Sequence, residues 1–196
     1  MPAQSSAAAL DVDAEYQALL ARAGAKDRAS IERHVAACDA EEGGAAHGAL
    51  WRRIAARLGT LAPLPVTTLG QHAVLFFIPD GKYRMQVFAL EDKRDGQLQV
   101  YVPDVLADAA KKKILGKSVE EGKYAIPGAG KQTLEVHAMD AANTPEPPQH
   151  VKNMLGWNRK ALRISLPATE AKSQAVSAAE SLATLAAAKW AAKAKA

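Results

Sequence analysis

The sequence predicts an α+β fold: an antiparallel sheet of about six strands built from two tandem strand-strand-strand-helix repeats, preceded by three N-terminal helices. Three observations lead there. Apolar residues recur at helical spacing as far as about residue 60, strand-like runs joined by hairpin signals replace that spacing from His72, and those runs fall into two similar series.

The helices come first. Val12, Tyr16, Leu19 and Leu20 form one stripe, with Gly24 as its stop. Ser30 is the expected cap of "IERHVAACDAEE", which ends at Gly43 and Gly44. In "HGALWRRIAARLG" the residues Leu50, Trp51, Ile54 and Leu58 share a stripe that Arg52, Arg53 and Arg57 avoid, and Gly59 closes the segment. Pro63 and Pro65 make an extended connector. A short helix at "VTTLGQHA" would be needed to complete a helix-turn-helix, and the prolines argue against that motif.

The strands follow. "HAVLFFIP", "KYRMQVFALE" and "LQVYVP" are joined by Asp80–Gly81 and by "KRDG", both hairpin signals. Because "VLFFI" is apolar at every position, the sheet is expected to be covered on both faces. Asp104 is the expected cap of "VLADAAKKKIL", whose three lysines suit a helix C-terminus. "KYAIP", "QTLEVHAM" and "ALRISLP" form the second series, and an alanine-rich helix over 169–189 ends the pattern. The resulting division is a helical region over 1–60 and a duplicated domain over 61–196. Its repeats are 72–115 and 120–190, and a loop at 141–160 is inserted in the second.

The duplication rests on ordered matches. "IPDGKYRMQVFALED" aligns with "IPGAGKQTLEVHAMD" at an offset of 48 at Ile78 and 49 beyond the turn. "LQVYVPDVLADA" aligns with "LRISLPATEAKS" at an offset of 64. This disposes of a nucleotide site at "YAIPGAGKQT": a phosphate loop needs an earlier glycine, a Ser or Thr after the lysine, and a helix next. Here Ala125 and Gln132 stand at those positions and an alternating strand follows.

Composition narrows the function classes. The net charge of +4 is mild, with the basic excess in residues 61–196. Cys38 is the only cysteine, so no intrachain disulfide forms, and a cytoplasmic location is expected. No membrane association is expected, because no apolar run reaches the ~20 residues that spanning requires. The start "MPAQSSAAALDVDAEY" lacks the basic end of a signal peptide.

No catalytic constellation, cofactor motif or complete metal pattern emerges. His34 and Cys38 stand four apart on a helix with His47 nearby, but no further ligand is visible, and a buried thiol beside a surface imidazole is the simpler reading. Glu91, Asp92 and Asp95 are expected to be solvated hairpin acids. The candidate recognition surface is the inserted loop, with His150, Lys152, Trp157, Asn158 and Arg159. Its plainer reading is a short helix, carrying Met154, Leu155 and Trp157, that seals one end of the sheet. Lys82, Lys131 and His137 are secondary candidates between the repeats.

Three functions follow as expectations. The first is a non-catalytic binding or assembly module, with a protein partner, a second copy or an acidic ligand bound through the sheet and the 141–160 loop. The alternatives are nucleic-acid binding through a basic sheet face and lysine-rich segments, including Lys117 and Lys123, and a small-molecule enzyme with a site between the repeats.

Overall fold

A computed structural model of the chain describes residues 11–40, 44–93, 97–125, 133–144, 146–167 and 174–193. Helices α1 (Val12–Arg22), α2 (Ala25–Ala40) and α3 (Gly44–Leu61) come first. Asp11 caps α1 by accepting the Ala14 amide at 3.1 Å. Two of the expected boundaries shift. Because α2 starts at Ala25, Ser30 lies inside the helix and does not cap it. Gly59 lies inside α3 as well, where its missing side chain admits α1: a Cβ there would stand 2.7 Å from Leu19 Cδ1.

Next come β1 (Thr67–Leu69), β2 (Ala73–Asp80), β3 (Tyr83–Asp92), β4 (Gln97–Pro103), α4 (Asp108–Leu115), β5 (Ser118–Glu120) and β6 (Lys123–Ala125). They are followed by β7 (Thr133–Asp140), α5 (Gln149–Asn158), β8 (Lys160–Pro167) and α6 (Gln174–Lys193). The strands form one antiparallel sheet in the order β1-β2-β3-β4-β8-β7-β6-β5. Eight described strands thus replace the expected six. The additional two, β1 and β5, have three residues each, too few to display alternation.

Asp104 does not cap α4, which starts four residues later with Ala107 at the cap position. Its carboxylate instead accepts Lys111 Nζ at 3.0 Å. The Asp80–Gly81 turn forms as the dipeptide predicts: Asp80 pairs with Tyr83, and Gly81 takes a φ of 57°. Residues 126–132 of the glycine-lysine turn lie outside the described residues. The chain enters a strand at Thr133, paired with Ala125, so no helix N-terminus follows that turn.

Alternation sorts the side chains onto two faces. The first face carries Phe76, Phe88, Leu90, Leu98, Val100, Leu134, Val136, Leu162 and Ile164, all in one core with Leu19, Ile31, Trp51 and Ile54 of the N-terminal helices. There α3 and α6 lie against the strands while α1 and α2 pack on α3. Helix α6 contributes Val176, Ala179, Leu182, Ala183 and Ala186, a mostly small stripe that allows close approach to the sheet. The second face carries Leu75, Phe77, Ala89, Tyr101 and Ala161 under Val151, Met154 and Leu155 of α5. A bulge at Val87, between the Phe76–Phe88 and Phe77–Gln86 pairs, bends β3 and turns Gln86 to this second face.

Candidate functional site

The inserted segment is anchored more deeply than a surface loop. His150 opens α5 and is only 6% exposed. Its ring stands edge-on to Tyr101, with centroids 4.7 Å apart, and its backbone carbonyl accepts Gln86 Nε2 at 2.6 Å. His150 Nε2 lies 3.1 Å from Glu91 Oε2, without the alignment of a full hydrogen bond. Lys93 Nζ approaches the same oxygen at 2.9 Å, and the Tyr101 phenol reaches Glu91 at 3.0 Å and Gln99 Oε1 at 2.7 Å. Burial by itself pushes the Glu91 carboxyl up, but His150 and Lys93 outweigh it and bring it down to about 2. Burial, followed by the charge of Glu91, drives the Tyr101 phenol well above its ordinary value.

His150 therefore belongs to the interior. Lys152 and Arg159 are exposed, and Arg159 takes a left-handed φ of 67° where α5 ends. Asn158 is half-buried and donates to the Lys160 carbonyl. The Trp157 side chain lies outside the described ones, as does Lys131. Lys82 and His137 do not come together. Lys82 sits in the exposed β2–β3 turn with its Nζ 5.3 Å from the centre of the Tyr83 ring. His137 lies on the second face of β7, opposite Arg163 and against Gly122.

On the first face, α4 and the strands β6, β7 and β8 enclose a groove of about 280 Å³. Its floor is Tyr124, Val136, Ala138 and Leu162, and its wall is Leu115 with Asp108, Lys111 and Lys112 along the rim. Ala138 is exposed and Tyr124 half-buried, so among the described residues the floor is open at these two positions, while Val136 and Leu162 are buried. Lys111 is held by Asp104 and Asp108, whereas Lys112 is exposed. Lys123 pairs with Glu120. Lys111 and Lys123, both in the lysine-rich segments, are thus engaged with carboxylates.

The hairpin acids also depart from expectation. Asp95 lies outside the described residues, but Asp92 is buried at 7% exposure on the first face, beneath α2 and α3. Its position is set by parity: Phe88, Leu90 and Asp92 share one side of β3, and the strand continues through the acid. Compared with known proteins, the chain matches no protein-family model, no curated protein and no solved structure.

Proposed function

We propose that the protein is a non-catalytic binding module whose second sheet half accepts an acidic amphipathic helix of a protein partner in the α4–β7 groove. The observation that carries this reading is the register of the sheet. Val100 pairs with Ile164 at its centre, and Val102 with Leu162 mirrors Leu98 with Leu166. A two-fold relation through that centre carries Leu98 onto Leu162. Through the neighbouring pairs it carries Leu90 onto Val136, Asp92 onto Ala138 and Phe76 onto Tyr124.

The groove floor is thus the counterpart of Phe76, Leu90, Leu98 and Asp92. In the first half those residues are buried in the core shared with the N-terminal helices, three of them at 0% exposure. The counterparts differ in cover: Val136 and Leu162 are buried like Leu90 and Leu98, whereas Ala138 is exposed and Tyr124 half-buried where Asp92 and Phe76 are buried. An apolar floor seats an apolar helix stripe, and Lys112 on the rim favours acids flanking that stripe.

The same register supports a tandem duplication as the origin of the sheet. The offset of 48 between Phe76 and Tyr124, and of 64 between Val100 and Ile164, are those of the aligned sequences. Strand β3 departs: its register places Leu90 on Val136, an offset of 46 where the sequence alignment has 49. The bulge in β3 breaks its parity, so identity of residue type there does not mark equivalence. In this reading the 141–160 insertion is the cover of the second face, and Lys152 and Arg159 are peripheral to the binding surface.

The test is a chemical-shift titration of the full chain with designed amphipathic helical peptides, one acidic and one basic. Saturable shifts at Tyr124, Val136 and Ala138 with the acidic peptide, lost in Ala138→Trp and weakened in Lys112→Glu, are expected. Shifts confined to α5, or none with either peptide, would remove the proposal.

A further inference from the structure

Four potential metal-ligating side chains meet where α2, α3 and the end of β3 converge. His34 and Cys38, one turn apart on α2, point the same way. His34 Nε2 lies 3.0 Å from Asp92 Oδ2, and Cys38 Sγ lies 3.6 Å from His34 Nε2 and 3.4 Å from Asp92 Oδ2. From the first turns of α3, His47 Nε2 comes within 2.8 Å of the same carboxylate oxygen. Cys38, His47 and Asp92 are each at least nine-tenths buried.

A Cys-His-Asp relay is the first alternative, and the geometry rejects it. In a relay the imidazole presents one nitrogen to the thiol and the other to the carboxylate. Here a single nitrogen, His34 Nε2, faces both. Its one proton serves at most one of them. The donor atoms of His34, Cys38 and Asp92 all lie within 4.8 Å of one another, so they converge rather than form a chain. His47 Nε2, buried beside Asp92, meets the same oxygen at 2.8 Å without the alignment of a hydrogen bond.

The spacings resemble those around a small tetrahedral ion. With zinc bonds of roughly 2.0–2.1 Å to nitrogen or oxygen and 2.3 Å to sulfur, neighbouring donors stand about 3.3 Å apart, or about 3.5 Å where one is sulfur. Among the three converging donors the separations of 3.6, 3.4 and 3.0 Å lie near those edges, compressed on the carboxylate side, and His47 stands 2.8 Å from that carboxylate, outside the converging set. Charge agrees as well. A thiolate and a carboxylate together neutralise a divalent ion, and without one the Cys38 thiol keeps its proton and donates it to Asp92. Soft sulfur with two imidazoles selects zinc or cobalt over calcium or magnesium.

We propose that His34, Cys38 and Asp92, whose donor atoms converge, hold one zinc-type divalent ion, and that His47, beside the Asp92 carboxylate, swings in as the fourth ligand, clamping the helical layer to the end of β3. Binding converts the Cys38 thiol to thiolate, and the released proton goes to solvent. All four positions are taken by protein, and the space beside His34, Trp51 and His72 is only about 10 Å³. The role is structural. His34, whose side chain is 13% exposed, marks the access route, with the exposed His72 ring 5.6 Å from it.

The test uses the full chain, reduced and stripped with a chelator, then titrated with Co²⁺ alone and displaced with Zn²⁺. One equivalent is expected to bind. It should give the intense visible bands of tetrahedral cobalt and a sulfur-to-cobalt charge-transfer band, and Zn²⁺ should abolish both. Cys38→Ser should lose the charge-transfer band, and His47→Ala and Asp92→Asn should each weaken binding at least about tenfold. Wild-type protein that takes up no stoichiometric Co²⁺, or takes it up without the sulfur band, overturns the proposal. Unchanged affinity in His47→Ala overturns the four-ligand form. The wild-type spectrum decides even where a variant does not fold, and it is independent of peptide binding at the groove.

Discussion

Glu91 and Asp92, consecutive at the end of β3, send their carboxylates to opposite faces of the sheet: Glu91 meets His150 and Lys93, and Asp92 meets His34 and His47. One strand end therefore fastens both covering layers, α5 on one side and α2 with α3 on the other.

On the α5 side, Tyr101→Phe removes a phenol that reaches both Glu91 and Gln99 inside the core. Its expected cost is about 1–2 kcal/mol, because the partners lose a buried donor while packing is kept. Leu155→Ala, which opens a cavity under α5, should cost about 2–5 kcal/mol. Lys152→Ala, on an exposed position, should stay within about 0.5 kcal/mol. Urea denaturation of the three variants checks the order. A Lys152 effect as large as that of Leu155 would mean that α5 is held by its outer face.

The ion pair between α3 and α6 offers a test of how the chain ends are joined. Arg53 Nε donates to Glu180 Oε1 at 2.8 Å and its Nη2 to Oε2 at 2.9 Å, a two-pronged contact across 127 residues of sequence. Both side chains are partly shielded, so the pair should exceed an ordinary surface bridge. A double-mutant cycle with Arg53→Met and Glu180→Gln should give a coupling of about 1 kcal/mol, reduced by salt. Strict additivity would show that the contact contributes nothing.

The five longer strands were legible as strand-like apolar runs bounded by Asp-Gly or proline signals, and three-residue β6 only within the longer run "KYAIP"; β1 and β5, of three residues each, had no such run around them. The site was half-legible. His34 and Cys38 stood out by helical spacing, but Asp92 read as a solvated turn acid. Continuing the buried parity of Phe88 and Leu90 by one step would have turned it inward. The groove had no local signal at all. Its openness depends on where helices distant in sequence come to rest, which hydrophobic periodicity does not specify.

Two glycines separate steric from backbone cost. Gly122 and Gly70 both have positive φ, 73° and 64°. A Cβ on Gly122 would stand 3.1 Å from His137 Cε1, while one on Gly70 would meet nothing within 4 Å. Gly70→Ala should cost about 1 kcal/mol for the left-handed backbone alone. Gly122→Ala should cost more, and Gly122→Ala with His137→Ala should fall back toward the Gly70 value. Thermal unfolding of the four proteins measures this, and equal costs at the two glycines would disprove the His137 contact.

Alkaline pH probes the packing of α1. Tyr16 is buried against α3, edge-on to Trp51 with centroids 6.2 Å apart. Burial, partly offset by Arg52, raises its phenol from 10.0 to about 12. The folded state thus holds the proton more tightly than the unfolded chain does. The associated stability is fully present below pH 10 and is lost as pH rises from 10 through about 12. Tyr101 shifts the same way and adds to the loss. The rise from 10.0 to about 12 corresponds to roughly 2–3 kcal/mol for Tyr16. Wild-type stability should therefore fall across that window, with tyrosinate absorbance appearing on unfolding. Tyr16→Phe, which has no phenol to ionise, should fall less steeply over the same window. If the variant falls as steeply as wild type, Tyr16 titrates freely and α1 is not packed as described.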